Sequence, residues 1–115
     1  MASWARDGSR LVYYTYDDGD PLYIADGTGA NPRQIHIGKR GDHNHFPTWS
    51  PDGQWIYYVH YVDEADAADL WRIPSSGGTP ERLTSQYSDV RFPTPIDAHT
   101  VLYVARAGDG SGPWL

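Results

Sequence analysis

Apolar residues fall in short alternating runs, broken every few positions by polar turn formers. The clearest example is Pro47-Thr48-Trp49-Ser50-Pro51-Asp52-Gly53-Gln54-Trp55-Ile56-Tyr57-Tyr58, which reads as strand, tight reversal and strand. Pro51 presets the backbone angle of the first central turn position, Asp52 can accept from amides two residues on, and Gly53 takes a positive φ at little cost. Ile56 and Tyr58 alternate with Tyr57 and Val59, placing large side chains on both faces of the second strand. A strand apolar on both faces needs cover on both, so the pattern predicts a sheet sandwiched between two others.

The same arrangement recurs. Ser3-Trp4-Ala5-Arg6-Asp7-Gly8-Ser9-Arg10-Leu11-Val12-Tyr13-Tyr14 precedes it by 45 positions (Trp4 to Trp49), and a degraded copy from Pro93 to Val104 follows by 45 (Asp52 to Asp97). The first copy has Ala5-Arg6 in place of Ser-Pro, and the third lacks the Trp and the Gly. A second half repeats as well: Leu22-Tyr23-Ile24 with Gly29-Ala30-Asn31-Pro32-Arg33-Gln34-Ile35 returns as Leu70-Trp71-Arg72 with Gly77-Gly78-Thr79-Pro80-Glu81-Arg82-Leu83, displaced by 48 (Leu22 to Leu70). Such a period marks an array of β units, each a four-stranded antiparallel meander with strands a, b, c and d. The units span about 3–38, 46–84 and 91–115. The third is read as lacking its outer half, because Gly112-Pro113-Trp114-Leu115 aligns with Asp20-Pro21-Leu22-Tyr23 at the start of a strand c.

Composition agrees with an all-β fold. Nine Tyr and five Trp suit a pleated, half-buried surface, whereas nine Pro and twelve Gly leave little room for a long helix. Asp63 to Asp69 is the one helix-like window, and a single turn is the most expected there. A formal charge of -6 argues against nucleic acid and anionic membrane as partners. The absence of Cys excludes disulfides and thiol chemistry. No signal-like or membrane-spanning run is present, so a soluble, by default cytoplasmic, protein is expected.

Trp49-Ser50-Pro51-Asp52-Gly53 followed by an aromatic strand, then Asp69-Leu70-Trp71-Arg72-Ile73 and Gly77-Gly78-Thr79-Pro80-Glu81-Arg82-Leu83-Thr84, resembles the blade repeat of TolB-like β-propellers. The resemblance covers nearly the whole chain and implies β-propeller blades, innermost strand first. Roughly two and a half blades are legible, against roughly four to eight in a closed ring. The partial propeller is therefore expected to be completed by association, most simply in a homodimer, or by missing blades of a longer protein.

In a meander the a-b and c-d turns lie at one end, and the b-c loops and d-a connections at the other. The second end carries the longer loops and most of the acids, and is the expected contact face for a protein or small ligand. Its candidate ligand-binding residues are Asp17, Asp20, Asp42, His43, Asn44, His45, Asp63 and Asp66. In an extended chain His43 and His45 point to one side, and neutral imidazoles near a carboxylate suit a divalent first-row metal. The two histidines alone lack the further ligands of a full motif, and backbone-bonded loop histidines are the plain alternative. The Asp-rich loops do not have the EF-hand spacing and are read as solvated hairpins. No nucleophile elbow, zincin, phosphate-loop or dinucleotide signature occurs, so no catalytic residue is assigned. The expected function is a non-catalytic binding or protein-interaction module without a required cofactor. The alternative suggested by the resemblance is a metal-dependent lyase or hydrolase with His43 and His45 as ligands.

Overall fold

A computed structural model describes residues 2–63, 68–85, 89–106 and 113–114. Three antiparallel sheets follow one another along the chain. The first runs in the order β1 (Ala2–Trp4), β2 (Arg10–Tyr14), β3 (Leu22–Asp26) and β4 (Arg33–His36). The second comprises β5 (Asp42–Trp49), β6 (Trp55–Val62), β7 (Asp69–Pro74) and β8 (Glu81–Arg82), again in sequence order. In the third, β9 (Arg91–Asp97), β10 (Thr100–Arg106) and β11 (Pro113–Trp114) form a three-stranded meander. Among the described residues no helix is long and apolar enough to cross a membrane.

The double-faced alternation on β6 has the expected consequence. Ile56 and Tyr58 are buried with Val12, Leu22, Ile24, Trp49 and Ile73 in a core between the first and second sheets. Tyr57 and Val59, one residue out of phase, belong to a second core with Leu70, Val90 and Ala105 against the third sheet. The middle sheet is thus a blade packed on both sides. Trp49 ties the inner strands together, its indole N–H donating to Ser3 O at 3.0 Å while the Arg10 guanidinium lies 4.5 Å above its ring.

The reversals follow from their residues. Gly53 N–H donates to Ser50 O at 3.0 Å, and Asp52 Oδ1 accepts from Gln54 N at 3.0 Å and from Ser50 Oγ at 2.6 Å. Asp7 repeats the device with Ser9 N at 2.9 Å, and Asp97 with His99 N at 2.8 Å even though its turn has lost the glycine. Gly53 has φ +73, and an added Cβ would stand 2.7 Å from Arg10 Nη2. We expect Gly53→Val to cost about 1–3 kcal/mol through the left-handed strain, read as a lower melting temperature; an unchanged melt would refute the assigned turn role.

The repeat spacing predicts that the second unit starts at about Phe46, with Asp42 to His45 in the connection before it. That boundary moves. β5 begins at Asp42, and Asp42, His43, Asn44 and His45 pair with Val62, Tyr61, His60 and Val59. A register shift between His45 and Thr48, with Phe46 at φ +54, explains the difference: Pro47 has no N–H for the ladder, so the strand bulges there and pairing resumes on either side. Phe92, also before a proline, repeats the positive φ at +53. The two phenyl rings meet edge to face at 5.0 Å and, with Ser3, Thr48 and Thr94, line an open groove of about 240 Å³ along the inner strands.

Candidate functional site

The b-c loops and d-a connections do gather at one end. Gly38 N–H donates to Gly19 O at 2.9 Å, and Asp63 N–H to Gly41 O at 2.8 Å, so each b-c loop is clasped by the same d-a segment. Gly19 and Gly38 pack backbone to backbone: a Cβ built on Gly19, itself at φ +82, would fall 2.3 Å from Gly38 O. This clasp turns Asp20 inward, where it is buried.

Asp20 then meets both histidines. Its Oδ2 lies 3.3 Å from His43 Nδ1 and 2.7 Å from His45 Nε2, and the three donor atoms sit within 4.8 Å of one another. The other ring nitrogen of His43, Nε2, is 2.5 Å from Asp63 Oδ1. Both rings are clamped by aromatics: Tyr61 stacks on His43 and Tyr14 on His45, each at 4.7 Å, while Tyr16 stands edge-on to His45 at 6.4 Å. His45 Nε2 is buried and, among the described residues, has no partner in hydrogen-bond geometry, although Asp20 Oδ2 lies 2.7 Å away.

The two imidazoles are pulled in opposite directions. The hydrogen bond with Asp63 and the Asp20 charge raise the His43 pKa, whereas burial lowers that of His45 despite the same Asp20. Burial also raises the Tyr14 hydroxyl well above the usual phenol range.

The remaining candidates divide. Asn44 is fully buried and committed internally: its amide donates to Gly19 O at 3.0 Å and Asp20 O at 3.3 Å, and its Oδ1 is 2.9 Å from His60 Nδ1. It holds the loop and offers no free atom to a ligand. Asp42 caps the preceding turn by accepting from Lys39 N at 2.8 Å, and Asp17 accepts from Thr15 Oγ1 at 2.7 Å. Neither carboxylate is brought to the histidines. Asp66 lies outside the described residues, as does most of the helix-like window at 64–67. Tyr14, Tyr16 and Tyr61 were not singled out in the sequence, where aromatics read as blade packing. The signal for Tyr61 is its pairing opposite His43, visible only once the register is known.

No family model matches the chain. An uncharacterized protein of Agrobacterium fabrum is 34% identical over 95 residues, covering 80% of this chain and 30% of that protein. The Tol-Pal system protein TolB of Nitratidesulfovibrio vulgaris is 36% identical over 47 residues, which is 41% of this chain and 9% of the relative. Among solved structures, one assigned as TolB from Agrobacterium tumefaciens superposes with a TM-score of 0.69 at 23% identity, over 97% of this chain and 46% of that one. TolB from Acinetobacter baumannii gives 0.64 at 17% identity, over 98% and 31%. The fold is that of TolB β-propeller blades. In TolB-type terms β1, β5 and β9 are the inner strands, and the Asp20–His43–His45 cluster lies between two adjacent blades. The chain spans under a third of each of the two sequence relatives.

The histidines also set an expected pH response. Burial lowers the pKa of His36, His45 and His60, so these favour the folded state fully above the ordinary histidine value of about 6.5 and lose stability as pH falls below it. His43 is raised and acts in the opposite sense, its contribution fading as pH rises through its folded value. The turn carboxylates of Asp7, Asp26 and Asp52 are lowered by their hydrogen bonds and lose that contribution only near and below the ordinary carboxyl range of about 4. Melting temperature should therefore fall between pH 7.5 and 5.5, and fall further in His43→Gln. A flat profile in both proteins would contradict this assignment.

Proposed function

We propose that the chain is a non-catalytic binding module of the TolB-like propeller type that contacts a protein partner through its b-c and d-a end and the adjoining mouth of the inner-strand groove. The observation that carries this reading is Tyr16, 83% exposed and standing edge-on to His45 beside an acidic cluster. An exposed tyrosine on a rigid scaffold offers large contact area at low entropic cost. At the opposite end the carboxylates of Asp7, Asp26 and Asp52 are consumed by their own turns. The relative named for the Tol-Pal system supports a protein as the class of partner. A photo-crosslinking residue at Tyr16 should give protein adducts in cell extract that the same residue at Thr28, on the far end, does not. Adducts confined to Thr28 would reverse the face.

Self-association is the second element of the proposal. Trp4 is 58% exposed on the face of the first sheet turned away from the second, and Leu102 is 51% exposed on the corresponding face of the third. Each face suits a further blade, and a second copy supplies one. Sedimentation should detect dimers or larger species at micromolar concentration; a well-folded monomer would rule them out. The metal-dependent hydrolase or lyase reading is favoured by one observation, the joining of Asp20 to the histidine pair.

A further inference from the structure

We infer that Asp20, His43 and His45 form a three-ligand site for a divalent first-row metal of the zinc class, with Asp63 as the outer partner of His43. The inference is independent of the protein-partner reading.

Two imidazoles and one carboxylate are a donor set that zinc and its neighbours accept, leaving a fourth position open. In tetrahedral zinc, bonds of about 2.0–2.2 Å place neighbouring donor atoms about 3.4 Å apart. Asp20 Oδ2 and His43 Nδ1 already stand 3.3 Å apart, and Asp20 Oδ2 and His45 Nε2, at 2.7 Å, need open by only about 0.7 Å to match. The outer arrangement agrees. A metal-bound histidine usually gives its second N–H to a carboxylate, which orients the ring and strengthens it as a donor, and Asp63 Oδ1 occupies that place on His43 Nε2. Stacking by Tyr14 and Tyr61 restrains both rings about their remaining freedom.

A metal-free reading accounts for half of this geometry. His43, with a carboxylate oxygen at each ring nitrogen, is satisfied without an ion. His45 is not: among the described residues its buried Nε2 has no partner in hydrogen-bond geometry although Asp20 Oδ2 is 2.7 Å away, and a misaligned buried nitrogen costs stability. A cation held by both Asp20 Oδ2 and His45 Nε2 replaces that misaligned contact with two bonds. The backbone clasp at Gly19 and Gly38 and the Asn44 amide fix Asp20 before any ion arrives, and the histidine donor atoms, within 4.8 Å of each other, would close around it.

The test uses the full chain, purified without a histidine tag and stripped with chelator, titrated with Zn²⁺ by calorimetry and with Co²⁺ by visible absorption. One equivalent should bind, with a tetrahedral Co²⁺ spectrum and a raised melting temperature. His43→Gln and Asp20→Asn should each weaken binding by at least 100-fold. Asp63→Asn changes an exposed side chain outside the ligand set, so folding should survive while affinity drops about 10-fold. Circular dichroism on each apo variant separates misfolding from ligand loss. Equal Zn²⁺ uptake by wild type and by folded His43→Gln, no uptake by wild type, or uptake of Ca²⁺ in place of Zn²⁺ would each overturn the site.

Discussion

Gly19→Ala should lower the stability of the chain by about 3–5 kcal/mol, the combined scale of left-handed strain and of overpacking a tight contact. Gly19 has φ +82, and the space a methyl would occupy contains a backbone carbonyl, Gly38 O, at 2.3 Å. A flexible side chain could move aside, but a carbonyl cannot do so without breaking the Gly38 N–H bond to Gly19 O and displacing Asp20. The change is measured by chemical denaturation. Its signature beyond stability is local, because tyrosine and histidine resonances around His43 and His45 should shift while those of the Asp52 turn stay fixed. Wild-type stability in Gly19→Ala would show that the b-c loop is not clasped in this way.

Trp49→Ala is expected to cost about 3–5 kcal/mol, the range for deleting a large buried aromatic. Trp49 is 6% exposed and belongs to the core between the first two blades. It also carries the hydrogen bond to Ser3 O and the stacked Arg10 guanidinium, which itself donates to Gly53 O at 3.1 Å. Trp49→Phe separates these contributions: it keeps most of the apolar area and loses the N–H, so a loss of about 1 kcal/mol is expected. If Trp49→Ala and Trp49→Phe destabilise equally, the hydrogen bond rather than packing joins the blades. The first sheet should detach before the rest unfolds in Trp49→Ala, seen as early loss of amide protection over β1 and β2.

How far the site could be read from the sequence differs residue by residue. His43 and His45 alternate along the chain, and period-two geometry alone puts them on one side of an extended segment. Asp20 was one of several exposed-looking acids, chemically equal in the sequence to Asp17 and Asp42. What distinguishes it is the Gly19–Gly38 clasp, a contact between backbones 19 positions apart in the chain (Gly19 to Gly38) that leaves no mark on residue composition. Asn44 looked like a ligand because of its neighbours. Its opposite orientation on the strand sends it inward to Gly19 O and His60, which the same period-two rule implies once Asp42 to His45 is known to be strand.

The residues by themselves determined the strands, the Asp-centred reversals, the repeat and the two-sided apolar character of β6. Each of these is a local property: alternation acts over two residues, turn chemistry over four, and the repeat copies both. Only the tertiary structure decided that β5 starts at Asp42 and bulges at Phe46, that Asp20 and not Asp17 reaches the histidines, and that Tyr14 and Tyr61 hold their rings. These depend on strand register and on how one blade seats against the next, where every side chain in the shared core contributes a little and no short segment specifies the result.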